Sequence, residues 1–300
     1  MAHPPYRTAS IHFLARDSLY EKVKPYTLHR SYVTTLPYDN FITVEVPGIA
    51  LHDLREVGRS LCFEENGIAV LEMHSSLAYE DFSDPQKIEQ LYCKEVADAL
   101  LTYMDASSVQ VFDFAIRRRH EEWPDKPSYE IDGGGRSQPA RQAHIDSNEK
   151  ATRALIETLN PSDSKKLLSG RFIYLNIWRP LHGPLQDWPL AVCDAGSVKS
   201  SKDLVDMDNV LPDDLSAVNY VQPGDGSNIN VVENVLAHYS PAQRWYYLSN
   251  HQTFELLVFR QVDSSGKSVP HASFYQPPMG SELPLPRESV EVRAIIYFDD

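Results

Sequence analysis

The sequence predicts a mainly β protein with flanking helices, an α+β fold whose sheet forms a β-sandwich or a jelly roll. Two observations predict this class. Short runs rich in aromatic and β-branched residues, separated by turn residues, fill the second half of the 300-residue chain. Helical patterns are concentrated earlier, so the helices are expected to support a rolled sheet rather than alternate with its strands.

The N-terminal third is predicted to contain strands and supporting helices. Extended pieces punctuated by prolines are expected within residues 6–50, followed by a short helix over 51–62 and a strand over 67–73. Residues 83–104 carry the strongest helix pattern, because a polar cap precedes an apolar stripe at helical spacing.

The rest of the chain is predicted to form the core. An alternating strand at 109–118 is followed by a polar, glycine-rich loop over 119–140, a short helix over 147–160 and a strong strand over 171–181. The loop is expected to be flexible and to lie beside the site as a lid, or to be a plain exposed connection. Further strands are predicted at LAVCDAGSV, AVNYVQP, QRWYYLSN, FELLVFRQVD, HASFYQ and SVEVRAIIYF.

Length and charge limit the domain organisation and the partners. We expect a single domain over 1–300, in which residues 1–105 supply N-terminal strands and helices and residues 106–300 form the core. The net charge of −14 argues against nucleic acid or an anionic membrane surface as a partner. No apolar run approaches the length of a membrane span, and the N-terminus lacks the apolar core of a secretory signal.

Cysteine usage indicates the compartment. Cys62, Cys93 and Cys193 are isolated and odd in number. This usage predicts reduced, buried thiols rather than a disulfide framework or a zinc site. A cytoplasmic location is the corresponding expectation.

Three residues that are far apart in sequence form a candidate metal site. His144 and Asp146 lie in RQAHIDSN, and His271 lies in SVPHASFY. Two histidines and one carboxylate are the ligands of the facial triad that binds non-haem Fe(II) and leaves coordination positions open. Side chains alternate along a strand, so His144 and Asp146 would share one face. The third ligand must then come from a strand that is close in space.

A His-x-Asp tripeptide is weak evidence alone, because about one is expected by chance in a chain of this composition. His144 and Asp146 can also form a plain ion pair at a strand end, and His271 can be a core histidine. A competing group, His120-Glu121-Glu122, lies in a charged stretch that indicates a solvated loop. The order of pair, long insertion, lone histidine and arginine favours the metal site.

The last predicted strand carries arginines on one face. Arg287, Ser289, Glu291 and Arg293 alternate with apolar residues in RESVEVR. A guanidinium binds a carboxylate through two parallel hydrogen bonds, which suits a dicarboxylic co-substrate. The alternative is that these arginines pair with neighbouring glutamates at the surface.

Several motifs taken together resemble a known family. NIWRPLHGPLQDWPLAVCD, RWYYLSNHQTFELLVFRQVDSS, PHASF and RESVEVR resemble the fungal and bacterial hydroxylase/desaturase group, which includes gibberellin desaturase-like and cephamycin methoxylation-type proteins. The resemblance covers residues 140–300 well and the first third loosely. The group is regarded as part of the Fe(II)/2-oxoglutarate-dependent dioxygenase superfamily, so the resemblance implies a double-stranded β-helix (cupin-like) core. Its members act mostly in secondary metabolism.

The resemblance also implies roles for single residues. His144, Asp146 and His271 would be the iron ligands. Arg287 would bind the distal carboxylate of 2-oxoglutarate, while Arg293 would hold its other end or pair locally. The separation of Asp146 from His271 is longer than in compact members.

Two further expectations follow from the resemblance. An insertion between core strands must absorb the long separation of the metal ligands, and residues 194–228 have mostly the composition of such a loop. Ser289 is predicted to join the arginines in binding the co-substrate.

Substrate contacts are predicted on the strong strand at 171–181. Tyr174, Asn176 and Trp178 share one face and can line a cavity, or they can serve sheet packing. Arg179 can hold a substrate carboxylate, or it can form a buried ion pair with Asp194.

The function implied is an oxygenase that uses Fe(II), 2-oxoglutarate and O2. It would act on an unactivated C–H bond of a small secondary-metabolite or amino-acid-derived substrate by hydroxylation, desaturation or oxidative cyclisation. A homodimer is possible. Two alternatives stay open: a 2-oxoglutarate-independent non-haem iron oxidase, and a non-catalytic jelly-roll binding protein.

Overall fold

The fold is dominated by two packed β-sheets. The computed structural model describes residues 6–28, 35–131, 138–211, 230–278 and 283–299. Its strands are β1 (Tyr6–Leu14), β2 (Tyr26–Leu28), β3 (Thr43–Asp53), β4 (Ile68–Glu72), β5 (Ser108–Arg118), β6 (His144–Ile145), β7 (Phe172–Pro180), β8 (Leu190–Cys193), β9 (Leu204–Leu211), β10 (Asn230–Ala237), β11 (Trp245–Tyr247), β12 (Glu255–Asp263), β13 (His271–Ser273) and β14 (Glu288–Tyr297).

Short helices and turns connect or cover these strands. The α-helices are α1 (Leu54–Val57), α2 (Phe63–Asn66), α3 (Pro85–Lys87), α4 (Cys93–Met104), α5 (Ser128–Ile131), α6 (Glu149–Leu159), α7 (Ser164–Leu167) and α8 (Ser200–Asp203). Turns of 3-10 helix cover Ser18–Glu21, Gly58–Ser60, Tyr79–Ser83 and Ala195–Ser197, and a π-helical turn covers Ile88–Tyr92.

The strands form a nine-stranded and a five-stranded sheet. The larger sheet has the order β1-β3-β11-β8-β13-β6-β10-β9-β2, and the smaller has the order β4-β12-β7-β14-β5. Side chains from both sheets meet in one apolar cluster, in which Trp178 and Phe259 of the smaller sheet join Val192 and Tyr246 of the larger. The predicted mainly β class with supporting helices is confirmed.

The strands β7 and β12 of the smaller sheet are buried on both faces. Every residue of β7 is buried, and so is every residue of β12. Ile173, Leu175 and Ile177 pack with α4 in one cluster, which also contains Val96 and Leu100 of that helix. The alternate residues of β7 face the larger sheet. A strand covered on both sides needs mostly apolar residues, which explains the largely apolar sequence of β7.

The helix over 83–104 is confirmed, since α3, the π-helical turn and α4 follow one another without a break. The helix predicted over 147–160 is also present as α6, where the Asn148 side chain accepts a hydrogen bond from the Ala151 N–H. That bond satisfies one of the free donors at the helix start.

Strands from the N-terminal third join both sheets. β3 pairs with β11 in parallel and with β1 in antiparallel fashion, while β4 pairs with β12. The division into residues 1–105 and 106–300 stays a prediction.

Several predicted elements differ in the structure. The helix over 51–62 was wrong in extent, because β3 continues to Asp53 before the single turn of α1. The strand LAVCDAGSV ends at Cys193, where Asp194 caps a 3-10 turn. The loop prediction over 194–228 was wrong for β9. The rest of it, from 212 onward, lies outside the described residues, as do the predicted strand AVNYVQP and residues 29–34 of the extended pieces expected within 6–50.

The segment predicted as a flexible loop is packed in part. Trp123 is buried, and its ring lies 4.5 Å from that of Trp188. Arg119 forms an ion pair with Asp187. The glycine run of this segment lies outside the described residues.

The cysteines are free thiols, as predicted. Cys93 and Cys193 are buried, but the prediction of burial was wrong for Cys62, which is exposed. Burial raises the pKa of Cys93 to about 12, so this thiol is not ionised near neutral pH.

Across the described ranges, we find no helix with both the length and the apolarity to cross a membrane.

Replacing Ile177 by alanine tests the packing of α4 on the smaller sheet. The side chain is fully buried, so we expect the free energy of unfolding to fall by about 3 kcal/mol, because the core cannot close the cavity. Urea unfolding measures this loss. Leu285→Ala is the control, since that side chain is exposed, and it should cost less than about 0.5 kcal/mol. Equal losses in both variants would contradict the packing.

Candidate metal centre

Two histidines meet across neighbouring strands of the larger sheet. β13 pairs with β6 in antiparallel fashion, with His271 directly opposite His144. Residues opposite each other in such a pair project to the same face. Their ring centroids are accordingly 4.3 Å apart. The sheet register therefore brings together two imidazoles that are distant in sequence.

Asp146 completes the group. It is the residue directly after β6, where the chain bends. Its Oδ1 lies 3.1 Å from Nε2 of His144 and 3.9 Å from Nε2 of His271. One ligand atom from each residue lies within 4.8 Å of the other two. The three predicted ligands thus converge on one point between the sheets.

The hydrogen bonding of His144 fits a cation at this point. Its Nδ1 lies 2.7 Å from the carbonyl oxygen of Gln142. A carbonyl only accepts, so Nδ1 carries the hydrogen and the neutral ring presents the Nε2 lone pair to Asp146. Two lone pairs at 3.1 Å repel each other unless a positive charge lies between them. A metal ion, or a proton in its place, meets that requirement.

The protonation states of His271 and Asp146 suit metal ligands, while His144 holds a proton where a metal ion would replace it. Burial lowers the pKa of His271 to about 3, with the positive charge of His144 adding to the effect. Burial disfavours the imidazolium of His144, but the hydrogen bond and the charge of Asp146, together with the carbonyl of Gln142, outweigh burial and raise the pKa of His144. Burial alone would raise the pKa of Asp146, but Arg293 and His144 hold it well below the usual range. The carboxylate is therefore ionised.

The second oxygen of Asp146 is held by the smaller sheet. Its Oδ2 accepts a hydrogen bond of 2.8 Å from Nδ2 of Asn176 and lies 3.1 Å from Nη2 of Arg293. The backbone N–H of Asp146 donates to Oε1 of Gln261 at 2.7 Å. Oδ1 is left to face the histidines, so this carboxylate is oriented to offer one oxygen.

Arg293 is enclosed by carboxylates. Besides Asp146, its guanidinium donates to Asp113 at 2.7 Å and to Glu291 at 2.8 Å. Burial disfavours its charge, but the carboxylates of Asp146 and Glu291 outweigh burial and raise the pKa of Arg293. The alternative of a local pair with a neighbouring glutamate is thus present, in a buried rather than a surface setting.

Arg287 lies in a different environment. Its guanidinium donates to the carbonyl oxygen of Trp188 at 2.9 Å, to Ser273 Oγ at 2.6 Å and to Ser289 Oγ at 3.3 Å. It stands 4.8 Å from the ring centroid of Trp178. Within the described part of the chain, no carboxylate forms an ion pair with it.

Burial lowers the pKa of Arg287 to about 9, and the nearby charge of Arg117 adds to the effect. A buried guanidinium whose partners are hydroxyls and a carbonyl retains an unbalanced positive charge. Such a group is suited to bind an anion.

A cavity of about 200 Å³ opens beside the candidate metal ligands. It lies between the sheets, and side chains from β5, β7 and β14 face others from β9 and β10 across it. Its lining residues are Arg117, His144, Asp146, Tyr174, Asn209, Val232, Asn234 and Arg293.

The residues predicted to contact substrate fall in different places. Tyr174 lines the cavity, Asn176 binds Asp146 and Trp178 lies beneath Arg287. Arg179 projects from the opposite face of β7, where it stacks on Phe82 and Tyr92. Its orientation argues against contact with a substrate at this cavity.

The predicted ion pair between Arg179 and Asp194 was wrong. Asp194 instead pairs with Arg244 at 2.7 Å. The competing group at His120 is exposed, as predicted, and His120 lies 3.9 Å from Glu122 in a weak surface contact.

Sequence reasoning missed the hairpin of β9 and β10 and the cavity residues on it. A signal was present, since Val205, Met207 and Asn209 alternate with Asp206 and Asp208. The residues that follow β9 have the composition of a loop, so this short alternating segment was not predicted as a strand.

Comparisons with known proteins show which proteins this chain is similar to. The family described as "YDMC: Oxidoreductase/YMDC permease-like domain" matches residues 11–297. The chain is 28% identical over 260 residues to the alpha-ketoglutarate-dependent dioxygenase tstK of Talaromyces stipitatus, which covers 85% of this chain and 86% of that protein. It is 31% identical over 162 residues to the hydroxylase/desaturase asaB of Aspergillus flavus, which covers 52% and 68%.

The fold also matches a solved structure, the iron and alpha-ketoglutarate-dependent endoperoxidase NvfI. The TM-score is 0.79 at 23% identity, and the match covers 99% of both chains. The predicted jelly-roll core and the resemblance read from the sequence motifs are confirmed.

Metal titration tests the convergence of the three ligands. We expect anaerobic calorimetry to show one Fe(II) bound per chain and no binding in His144→Ala or His271→Ala. Asn176→Ala should weaken binding by about 10- to 100-fold, because Asp146 loses the partner that orients it. His74→Ala is the control, since it is exposed and lies outside the group. Undiminished binding in His271→Ala would contradict the site.

Proposed function

This chain belongs to the family of the YDMC oxidoreductase/YMDC permease-like domain, and we propose that it is a non-haem Fe(II)- and 2-oxoglutarate-dependent oxygenase. The observation that carries this proposal is the convergence of His144, Asp146 and His271 within 4.8 Å of one another. The names of its relatives favour this function over a 2-oxoglutarate-independent oxidase or a non-catalytic binding protein.

Two imidazole nitrogens and one carboxylate oxygen would hold Fe(II) on one side of its coordination sphere. When bound together, Fe(II), 2-oxoglutarate and O2 supply an oxidant for an unactivated C–H bond, while 2-oxoglutarate is converted to succinate and carbon dioxide.

The surrounding residues keep the metal ligands in place. Gln142 sets the tautomer of His144, and Asn176 and Arg293 hold the outer oxygen of Asp146. Outer partners of this kind orient ligands and strengthen metal binding. In this proposal Arg293 acts as a positioning residue for Asp146, since its guanidinium is already engaged by three carboxylates.

Arg287 is the better candidate to bind 2-oxoglutarate. Its buried positive charge has no carboxylate partner among the described residues, and Ser273 and Ser289 orient its fork. A distal carboxylate bound there would be desolvated and paired at once, which favours a dicarboxylate over a neutral molecule. Trp178 beneath the guanidinium excludes water from that contact.

The proposed substrate is a small molecule of secondary metabolism that reaches the cavity beside His144. Tyr174 is a candidate contact, because it lines that cavity. Hydroxylation, desaturation and oxidative cyclisation all begin with removal of one hydrogen atom, so the placement of the substrate decides among them. The absence of a nucleic-acid or membrane partner, the homodimer and the cytoplasmic location stay predictions.

Succinate formation tests the reaction. With Fe(II), O2 and 2-oxoglutarate, and a panel of small metabolites, we expect succinate to accumulate with the wild-type chain. His144→Ala should form none, because the metal site loses a ligand. Succinate formation that is equal in wild type and His144→Ala would overturn the assignment. His74→Ala serves as the control that leaves the reaction intact.

Arg287→Met tests the binding of the co-substrate. The variant loses charge-assisted hydrogen bonds to a carboxylate, so KM for 2-oxoglutarate should rise by about 10- to 100-fold. Arg287→Lys should give an intermediate KM, because the charge remains but the fork is lost. Arg244→Met is the control, since Arg244 is half exposed and pairs with Asp194.

Full turnover by Arg287→Met at low 2-oxoglutarate would instead support an oxidase that draws its electrons from the substrate.

A further inference from the structure

The hairpin of β9 and β10 presents three side chains to the cavity. In the antiparallel register Asn209 lies opposite Val232, and Asn234 follows two residues along β10. Residues with this spacing share one face of a sheet. All three line the cavity together with His144.

Both asparagines have unused hydrogen-bonding groups within the part of the chain that the structure describes. Neither carboxamide makes a hydrogen bond to the described part of the chain, and Oδ1 of Asn234 is buried without a partner. A buried amide oxygen in that state is unfavourable unless a ligand or water completes it. This side of the cavity therefore has unused hydrogen-bonding capacity.

On the opposite face of the same hairpin, Asp208 and Glu233 are engaged by lysines. Asp208 and Glu233 both form ion pairs with Lys24. Lys150 adds a second contact to Glu233 at 3.2 Å. These outward contacts hold the hairpin in position, so the inward asparagines form a fixed wall.

The wall formed by Asn209 and Asn234 carries no charge. An asparagine side chain offers one acceptor oxygen and two donor hydrogens and carries no charge. Of the charged cavity residues, Arg117 and Arg293 project from the smaller sheet, and Arg293 pairs with Asp146, the residue that follows β6. Val232 adds an apolar contact between the asparagines.

We infer that Asn209 and Asn234 determine substrate specificity by binding a neutral group that presents a hydrogen-bond donor beside an acceptor, of which a lactam amide is the simplest case. This inference rests on the proposed function, because it assigns the substrate class of the same site. The cavity of about 200 Å³ has room for about seven water molecules at liquid density. A group held at this wall would bring a neighbouring C–H bond towards the metal ligands.

Ligand-observed NMR on the full chain without added metal tests the wall directly. The probes are δ-valerolactam, cyclohexanone and cyclohexanecarboxylate, which share a ring size but differ in donor and charge. We expect the lactam to bind about fivefold more tightly than either of the others, as one added neutral hydrogen bond implies. Asn209→Leu and Asn234→Leu should each abolish that preference.

Matched variants separate recognition from folding. Asp206 lies on the same strand as Asn209 but is exposed on its outward face. Asp206→Leu should therefore keep the lactam preference of the wild type. Asn234→Asp keeps the size and the acceptor oxygens of the side chain, so it should keep the preference for the lactam over cyclohexanone. Asn234→Ala removes the acceptor in a smaller side chain, so it should lose that preference even if the leucine variants fold poorly. Thermal melts report on folding in each case.

Three results would overturn the inference. They are equal binding of lactam and ketone by the wild type, an unchanged preference in folded leucine or alanine variants of the asparagines, and no lactam binding at any concentration that the protein tolerates. Because the probes need no metal, these results leave the Fe(II) titration and the succinate assay unaffected. Failure of the proposed function would appear in those two experiments instead.

Discussion

The contact between Arg293 and Asp146 joins the two sheets at the point where the candidate metal ligands meet. Arg293 belongs to the smaller sheet, and Asp146 extends from a two-residue strand of the larger one. So short a strand has few backbone hydrogen bonds to fix it. The position of Asp146 therefore depends on side chains from the facing sheet.

The same contact sets the electrostatics between the sheets. Asp113, Glu291 and Asp146 surround one guanidinium, so the cluster carries more negative than positive charge. An excess negative charge in a buried place is unfavourable unless a cation balances it. A divalent metal ion at the histidines would neutralise the cluster. Arg287 shows the opposite imbalance, and it suits an anion.

Much of the site could be predicted from local spacing. Alternation along a strand placed Arg287 and Ser289 on one face, and the His-x-Asp spacing placed two ligands together. The pairing of His271 with His144 depends on strand register across more than a hundred residues, which periodicity does not encode. His271 could be assigned to the same site as His144 only because the order of the motifs resembles that of a known family.

Other parts could not be predicted for physical reasons. The partner of Asp194 is Arg244 rather than Arg179, because ion pairing depends on which side chains the fold brings close. The β9 strand was missed because its acidic outward face has the composition of a loop. Asn176 was expected to contact substrate, but its neighbour in space is Asp146. The alternation of residues along a strand shows which face of the sheet a side chain occupies. It does not show which residues of other strands lie opposite that side chain.

The outward anchoring of the β9–β10 hairpin by Lys24 has an evolutionary consequence. Positions 209, 232 and 234 supply no metal ligand and hold none in place, and the hairpin's fixation comes from its other side. Substitutions there can alter which molecule is accepted while the oxidation machinery is inherited unchanged. Related enzymes can thus come to accept different substrates through a few substitutions on the inward face of the β9–β10 hairpin.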